Sequence, residues 1–214
     1  MVGTTIRNEG TLIMIINSRV PAPRDCQDLQ KITSVLLSNE DISGNSRFIT
    51  EYEQKLCQYF NVKYAIAVSS GTAAIHCALA SIGVGAGDEV IVPVTAAVMS
   101  AIPIVALGAK IVFVDCKNNS FGICPKSLRK KITKNTKAIM SVAMWGYPAY
   151  CNEIHKISIS FNIPIIEDAA QAIGTVNQGH FEGTCGLIGC FSTHELKLIS
   201  TGRRWLHPNQ QSGC

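Results

Sequence analysis

Five short and continuous apolar runs constrain what this chain can fold into more than any other feature. They are Tyr64–Val68, Val90–Val92, Ile111–Val114, Ala138–Val142 and Ile163–Ile166. None alternates apolar with polar, so each reads as a strand buried on both faces. Between them lie segments of helical period: Ala73 to Ile82, Val98 to Leu107, Lys126 to Ile132 and Asn152 to Phe161. Strands alternating with helices predict an α/β domain, a mostly parallel sheet with helices on both faces. The punctuation agrees, with Pro93 closing a strand, Gly108 near a helix C-cap and Pro125 at a first helical position.

Upstream, the first twenty or so residues show no clear period and end in Pro21-Ala22-Pro23. Leu29, Ile32, Val35 and Leu36 predict a helix from Asp28 to Leu37, and Asp41 to Ser46 a polar loop. A second helix would place Phe48, Tyr52, Leu56 and Phe60 on one face, with Thr50 as its N-cap.

Composition narrows the function classes. With 47% apolar and 16% charged residues, the chain has the material for a real core and is not a disordered one. A net charge of +4 without a basic stripe interleaved with aromatics gives no sign of nucleic-acid binding. Val90 to Ala109 carries no charge over the length of a bilayer span, but Pro93, Thr95, Ser100, Pro103 and Gly108 interrupt it. A strand, a turn and a buried helix account for it, with no membrane partner. The nine cysteines include no C-x-x-C pair and no zinc spacing, which points to free thiols in a reducing cytoplasm.

Chemistry-bearing residues fall where strands end. Ser69-Ser70-Gly71-Thr72 joins the first strand to an alanine-rich helix. Such a turn can be an ordinary serine cap or an anion site, where unpaired N–H groups and the helix dipole meet a phosphate. Asp115 and Asp168 follow other strands, so all three positions could line one crevice beyond the strand carboxyl ends. Asp168 could cap a following helix or face a cationic ring nitrogen, and Gln171 would project from the same helical face. Further on, the short strand at Gly189 breaks into Ser192, Thr193, His194 and Lys197. A phosphate cradle, a carboxylate, a serine and a lysine are what pyridoxal phosphate requires. The phosphate anchors, the carboxylate keeps the ring nitrogen protonated, and the lysine bonds to the aldehyde and moves protons.

Five motifs then occur in order: Ser69-Ser70-Gly71-Thr72-Ala73-Ala74; Gly87-Asp88-Glu89-Val90-Ile91-Val92-Pro93; Gly108-Ala109-Lys110-Ile111-Val112-Phe113-Val114-Asp115; Ile166-Glu167-Asp168-Ala169-Ala170-Gln171; and Phe191-Ser192-x-x-x-x-Lys197. From about Asp25 to Gly202 the chain closely resembles the DegT/DnrJ/EryC1/StrS family of sugar aminotransferases. The resemblance implies the large domain of a fold-type I enzyme that uses pyridoxal phosphate to aminate a keto-sugar, usually nucleotide-linked. Glutamate is the common donor, and homodimers share their sites. It also implies roles by position. Gly71 and Thr72 would bind the phosphate with Ser192 adding a hydroxyl. Asp168 would pair with the pyridine nitrogen, Gln171 would contact the ring hydroxyl, and Lys197 would be the Schiff-base lysine. For His194, a lining role and a catalytic one both stay open.

Two departures stand out. Thr95-Ala96-Ala97 supplies no aromatic ring where the family stacks one on the cofactor. After Thr201-Gly202 the family continues with an acidic residue, glycines and a small C-terminal domain, whereas this chain runs from Arg203 to Cys214 without an apolar period. The expected layout is therefore an N-terminal segment over 1–24, an incomplete cofactor-binding domain over 25–202 and a divergent tail over 203–214. A chain truncated after Lys197 would lack the pocket-closing half, expose apolar surface and lose turnover. It would then be an inactive fragment or a partner of a full-length relative. A related sugar dehydratase is another alternative, but it would carry histidine in place of Lys197. A Rossmann nucleotide binder is disfavoured because no G-x-G-x-x-G follows the first strand.

Overall fold

The computed structural model describes residues 5–8, 11–14, 26–38, 46–149, 151–194 and 197–199. It has two compact units, Arg24–Ser192 and a smaller one formed by Met1–Pro23 with Thr193–Cys214. In the smaller unit, β1 (Thr5–Asn8) and β2 (Thr11–Met14) pair as an antiparallel hairpin, with Thr5 opposite Met14 and Asn8 opposite Thr11. The hairpin lies where the sequence showed no period. Its two strands are too short for alternation to register. Of the loop expected over Asp41 to Ser46 only Ser46 is among the described residues, and the tail over 203–214 lies outside them.

The larger unit is built on a parallel sheet. Its strands are β3 (Glu89–Pro93), β4 (Lys110–Val114), β5 (Thr136–Val142), β6 (Ile165–Asp168) and β9 (Ile188–Cys190), in the order β4-β3-β5-β6-β9. Every pairing is parallel, as the alternation of strand and helix required. Side chains along each strand point to opposite faces, and the core divides accordingly. On one face Ile75, Leu79 and Ile104, from α3 (Gly71–Ser81) and α4 (Val98–Ala106), pack with Val90, Val92, Met140, Val142 and Ile166. On the other, Leu128, Ile154 and Ile157, from α5 (Pro125–Lys131) and α6 (Asn152–Phe161), pack with Ile91, Val114, Ile139 and Ile165. The charge-free stretch over 90–109 is thus mostly β3 and α4, and no described helix is long and apolar enough to cross a membrane.

The remaining helices are α1 (Cys26–Leu37) and α2 (Arg47–Phe60). No residue of α1 is buried; of the apolar stripe that predicted the helix, Leu29, Ile32 and Leu36 are exposed and Val35 is half-buried. Helix α2 begins earlier than the sequence suggested: Ser46 is the N-cap and its Oγ accepts from the Ile49 N–H at 3.4 Å, which leaves Thr50 inside the first turn. The first expected strand, Tyr64–Val68, forms no ladder in the described residues, and Tyr64 and Ile66 are 72% and 80% exposed. Apolarity alone cannot make a strand, because the backbone groups need a neighbouring edge. Here the Ala67 N–H instead donates to Glu53 Oε1 at 2.8 Å. A two-residue hairpin, β7 (Val176–Asn177) and β8 (His180–Phe181), lies in the connection between β6 and β9.

Candidate active site

The strands of the sheet all run the same way, so their carboxyl ends share one edge, the edge where open α/β sheets hold ligands. Strand β6 delivers two acidic residues there, and alternation separates them. Ile165 and Glu167 face one side, and Ile166 and Asp168 face the side covered by α3 and α4. Asp168 is 7% exposed and its Oδ2 accepts from Ser100 Oγ of α4 at 2.5 Å. Its Oδ1 accepts from the Ala170 N–H at 3.1 Å. No helix follows, so the cap is a local turn closed by the aspartate side chain. Gln171 accordingly sits in a turn and shares no helical face with Asp168. Its Oε1 accepts from the Trp145 N–H at 2.8 Å, leaving the amide NH2 as the group able to donate to a ligand oxygen.

Of the two readings the sequence left open for the turn before α3, the structure shows the serine cap. Ser70 caps the helix, its Oγ accepting from the Ala73 N–H at 3.0 Å. The N–H groups of Gly71 and Thr72, in the same first turn, have no intrahelical acceptor by helix geometry. Strand β9 ends against this turn. A Cβ built on Gly71 would lie 3.0 Å from Ser192 Cβ, 3.3 Å from the Phe191 carbonyl oxygen and 3.5 Å from Ser192 Oγ. A side chain at residue 71 would crowd the serine, so glycine lets the helix N-terminus and Ser192 sit this close without adjustment. Gly71, Thr72 and Ser192, some 120 residues apart in sequence, therefore form one cradle of backbone N–H groups and a hydroxyl.

The approach of β9 depends on the other acidic residue. Glu167, 2% exposed, accepts from the N–H groups of Gly183 at 2.9 Å and Cys185 at 2.7 Å, and also from that of Gly186. Burial pushes its pKa up, the three N–H donors oppose this, and the charge of Glu182 adds to the rise. Glu182 is itself buried and accepts from the Ala149 N–H at 3.1 Å and Asn177 Nδ2 at 3.0 Å. These bonds tie the turns before β9 to the sheet. Behind Ser192, Cys190 is buried and its thiol is pushed up to about 12, chiefly by burial and then by the Asp168 charge. That sulfur stays protonated and adds no second anion beside Asp168.

Gly71, Thr72 and Ser192 come together, and Asp168 and Gln171 emerge from β6, the neighbour of β9. Lys197 and His194 belong to the smaller unit, where the Lys197 N–H donates to the His194 carbonyl oxygen at 2.8 Å. Sequence reasoning missed Ser100 and Glu167 as supports of the site. The signal for Ser100 was a lone hydroxyl in the otherwise apolar Val98–Ala106. At Ala97, the N-cap of α4, no ring is present, as the sequence indicated.

The residues of the larger unit fit pyridoxal phosphate. The glycine-dependent cradle suits a phosphate, and a buried carboxylate whose two oxygens each hold one donor keeps lone pairs for a protonated ring nitrogen.

The fold is that of the fold-type I, pyridoxal-phosphate class of aminotransferase domains. The chain belongs to the DegT/DnrJ/EryC1/StrS aminotransferase family, whose model matches residues 24–203. It is 39% identical over 161 residues to the GDP-perosamine synthase of Escherichia coli O157:H7, a match covering 75% of this chain and 44% of that protein. The GDP-perosamine synthase of Caulobacter vibrioides is 40% identical over 161 residues, covering 75% of this chain and 43% of the relative. Among solved structures, an aminotransferase from Psychrobacter cryohalolentis superposes with a TM-score of 0.81 at 32% identity, over 86% of this chain and 46% of that one. An E. coli GDP-4-keto-6-deoxy-D-mannose-3-dehydratase with bound hydrated pyridoxal phosphate superposes with a TM-score of 0.77 at 30% identity, over 85% and 48%. The chain thus spans less than half the length of the relatives it matches.

Proposed function

We propose that this chain carries the cofactor-binding half of a sugar aminotransferase acting on a nucleotide-linked keto-sugar. The observation that carries the reading is the close approach of Ser192 to Gly71 at the α3 N-terminus, beside the buried carboxylate of Asp168. Gly71 and Thr72 N–H groups with Ser192 Oγ hold the phosphate. Asp168 meets the ring nitrogen and Gln171 donates to the ring oxygen. By its place in the motif Phe191-Ser192-x-x-x-x-Lys197, Lys197 would hold the cofactor through Nζ and serve as the proton-moving amine. When bound, pyridoxal phosphate supplies the electron sink that lets an amino group pass from a donor to the sugar. Relatives named for GDP-perosamine support a GDP-linked sugar. Glutamate as donor and a homodimer as the working form complete the proposal and rest on the family resemblance alone. The similarity to a 3-dehydratase makes dehydration the second reading, and Lys197 supports amino transfer over it.

Adding pyridoxal phosphate to the full chain tests this. A visible absorbance band should develop and be lost in Lys197→Ala. Folded protein that gives no band would overturn the reading.

A further inference from the structure

We propose that Ser100 is the positioning residue for Asp168, its hydroxyl setting which carboxylate lone pairs face the cofactor ring. This rests on the reading of Asp168 as the partner of the pyridine nitrogen. Ser100 lies 68 residues before Asp168, is fully buried, and donates Oγ–H to Oδ2 at 2.5 Å. A serine within a helix ordinarily returns its hydroxyl to a backbone carbonyl one turn back. Here the hydroxyl leaves its own helix for the sheet. Every other side chain of Val98–Ala106 is apolar, so this bond is the one polar link from α4 to the strand.

A lone hydrogen bond would let a carboxylate swing about its Cβ–Cγ bond. With Ser100 on Oδ2 and the Ala170 N–H on Oδ1, the carboxylate plane is set from two directions. The thiol of Cys190 stays protonated beside it and brings no competing charge. The orientation matters more in this chain because the segment leading into α4, Thr95-Ala96-Ala97, has no ring to clamp a cofactor face. The same segment that lacks the stacking ring is followed within three residues by the hydroxyl that fixes the carboxylate. Ser100 would then help to orient the ring through the carboxylate it holds.

The test uses the full chain, titrated with pyridoxal phosphate and followed through the visible band and its pH dependence. Ser100→Ala should bind the cofactor about tenfold more weakly, the scale of one lost hydrogen bond to a charged group. It should also displace the pH at which the band changes, and Ser100→Thr should restore both. Ser100→Cys, slightly larger and with a weaker donor, should fall between, and decides the matter if Ser100→Ala does not fold. A lowered urea midpoint with unchanged affinity and pH profile would show a structural role only and overturn the proposal. Asp168→Asn separates the two levels of inference. If it weakens binding while the Ser100 variants do not, only the positioning role fails. If it too binds as the unsubstituted chain does, or if that chain itself binds no cofactor, the parent reading fails and takes this one with it.

Discussion

Glu167→Ala should destabilise the chain by about 2–4 kcal/mol, although Glu167 touches no proposed ligand. Its carboxylate is the acceptor for the N–H groups of Gly183, Cys185 and Gly186. A buried donor left without an acceptor costs about 1–3 kcal/mol. Gly183 is buried and would bear that in full, whereas Cys185 and Gly186 are half-buried and can recover part of the loss through water. Against the sum stands relief from burying a charge, the same effect that raises the Glu167 pKa. Glu167→Gln should cost less, about 1–2 kcal/mol, because its carbonyl oxygen can still take two N–H groups while its NH2 confronts the third. Urea unfolding followed by far-UV circular dichroism measures both. A change under 1 kcal/mol for Glu167→Ala, or a larger loss for the glutamine variant than for the alanine one, would refute this account of how β9 is held. The pH dependence adds a check of sign. With a folded pKa raised above the ordinary 4.5, the contribution of Glu167 is fully present below 4.5 and is lost as pH rises through the folded value. Glu167→Gln should flatten that part of the stability curve.

Two further outcomes follow from the same geometry. Gly71→Ala places a Cβ 3.0 Å from Ser192 Cβ, which must give by a few tenths of an ångström, and should weaken pyridoxal phosphate binding by about threefold to tenfold; unchanged affinity in an equilibrium titration would show that the cradle does not hold the phosphate. Cys190, buried with its thiol at about 12, should resist alkylation at pH 8 in the folded chain while the exposed Cys26 and Cys77 react, and equal labelling rates by mass spectrometry would contradict the burial of β9.

Much of the larger unit was legible because its elements depend on local pattern. The apolar runs at Val90, Ile111 and Ala138 became β3, β4 and β5, and the helix expected over Asn152–Phe161 has those bounds. Tyr64–Val68 misled because its apolarity resembles that of Ala138–Val142 while its environment does not. A ladder requires an adjacent strand, which no local window contains. The helix expected after Asp168 failed for a nearer reason: the aspartate side chain takes the Ala170 N–H and closes a turn instead. Gly71, Thr72 and Ser192 are nominated through the family motifs, since a small-residue turn before a helix can equally be an ordinary serine cap. The closeness of Gly71 to Ser192, and the reach of Ser100 to Asp168, are long-range consequences of sheet order and emerge only in three dimensions.

The central claim is that this chain holds pyridoxal phosphate through Lys197. Borohydride reduction of the cofactor-loaded full chain, followed by peptide mass spectrometry, tests it most directly. The account predicts one pyridoxyl phosphate per chain, located on the peptide containing Lys197 and absent from the Lys197→Ala protein. A label spread over surface lysines, or retained undiminished in Lys197→Ala, would contradict it.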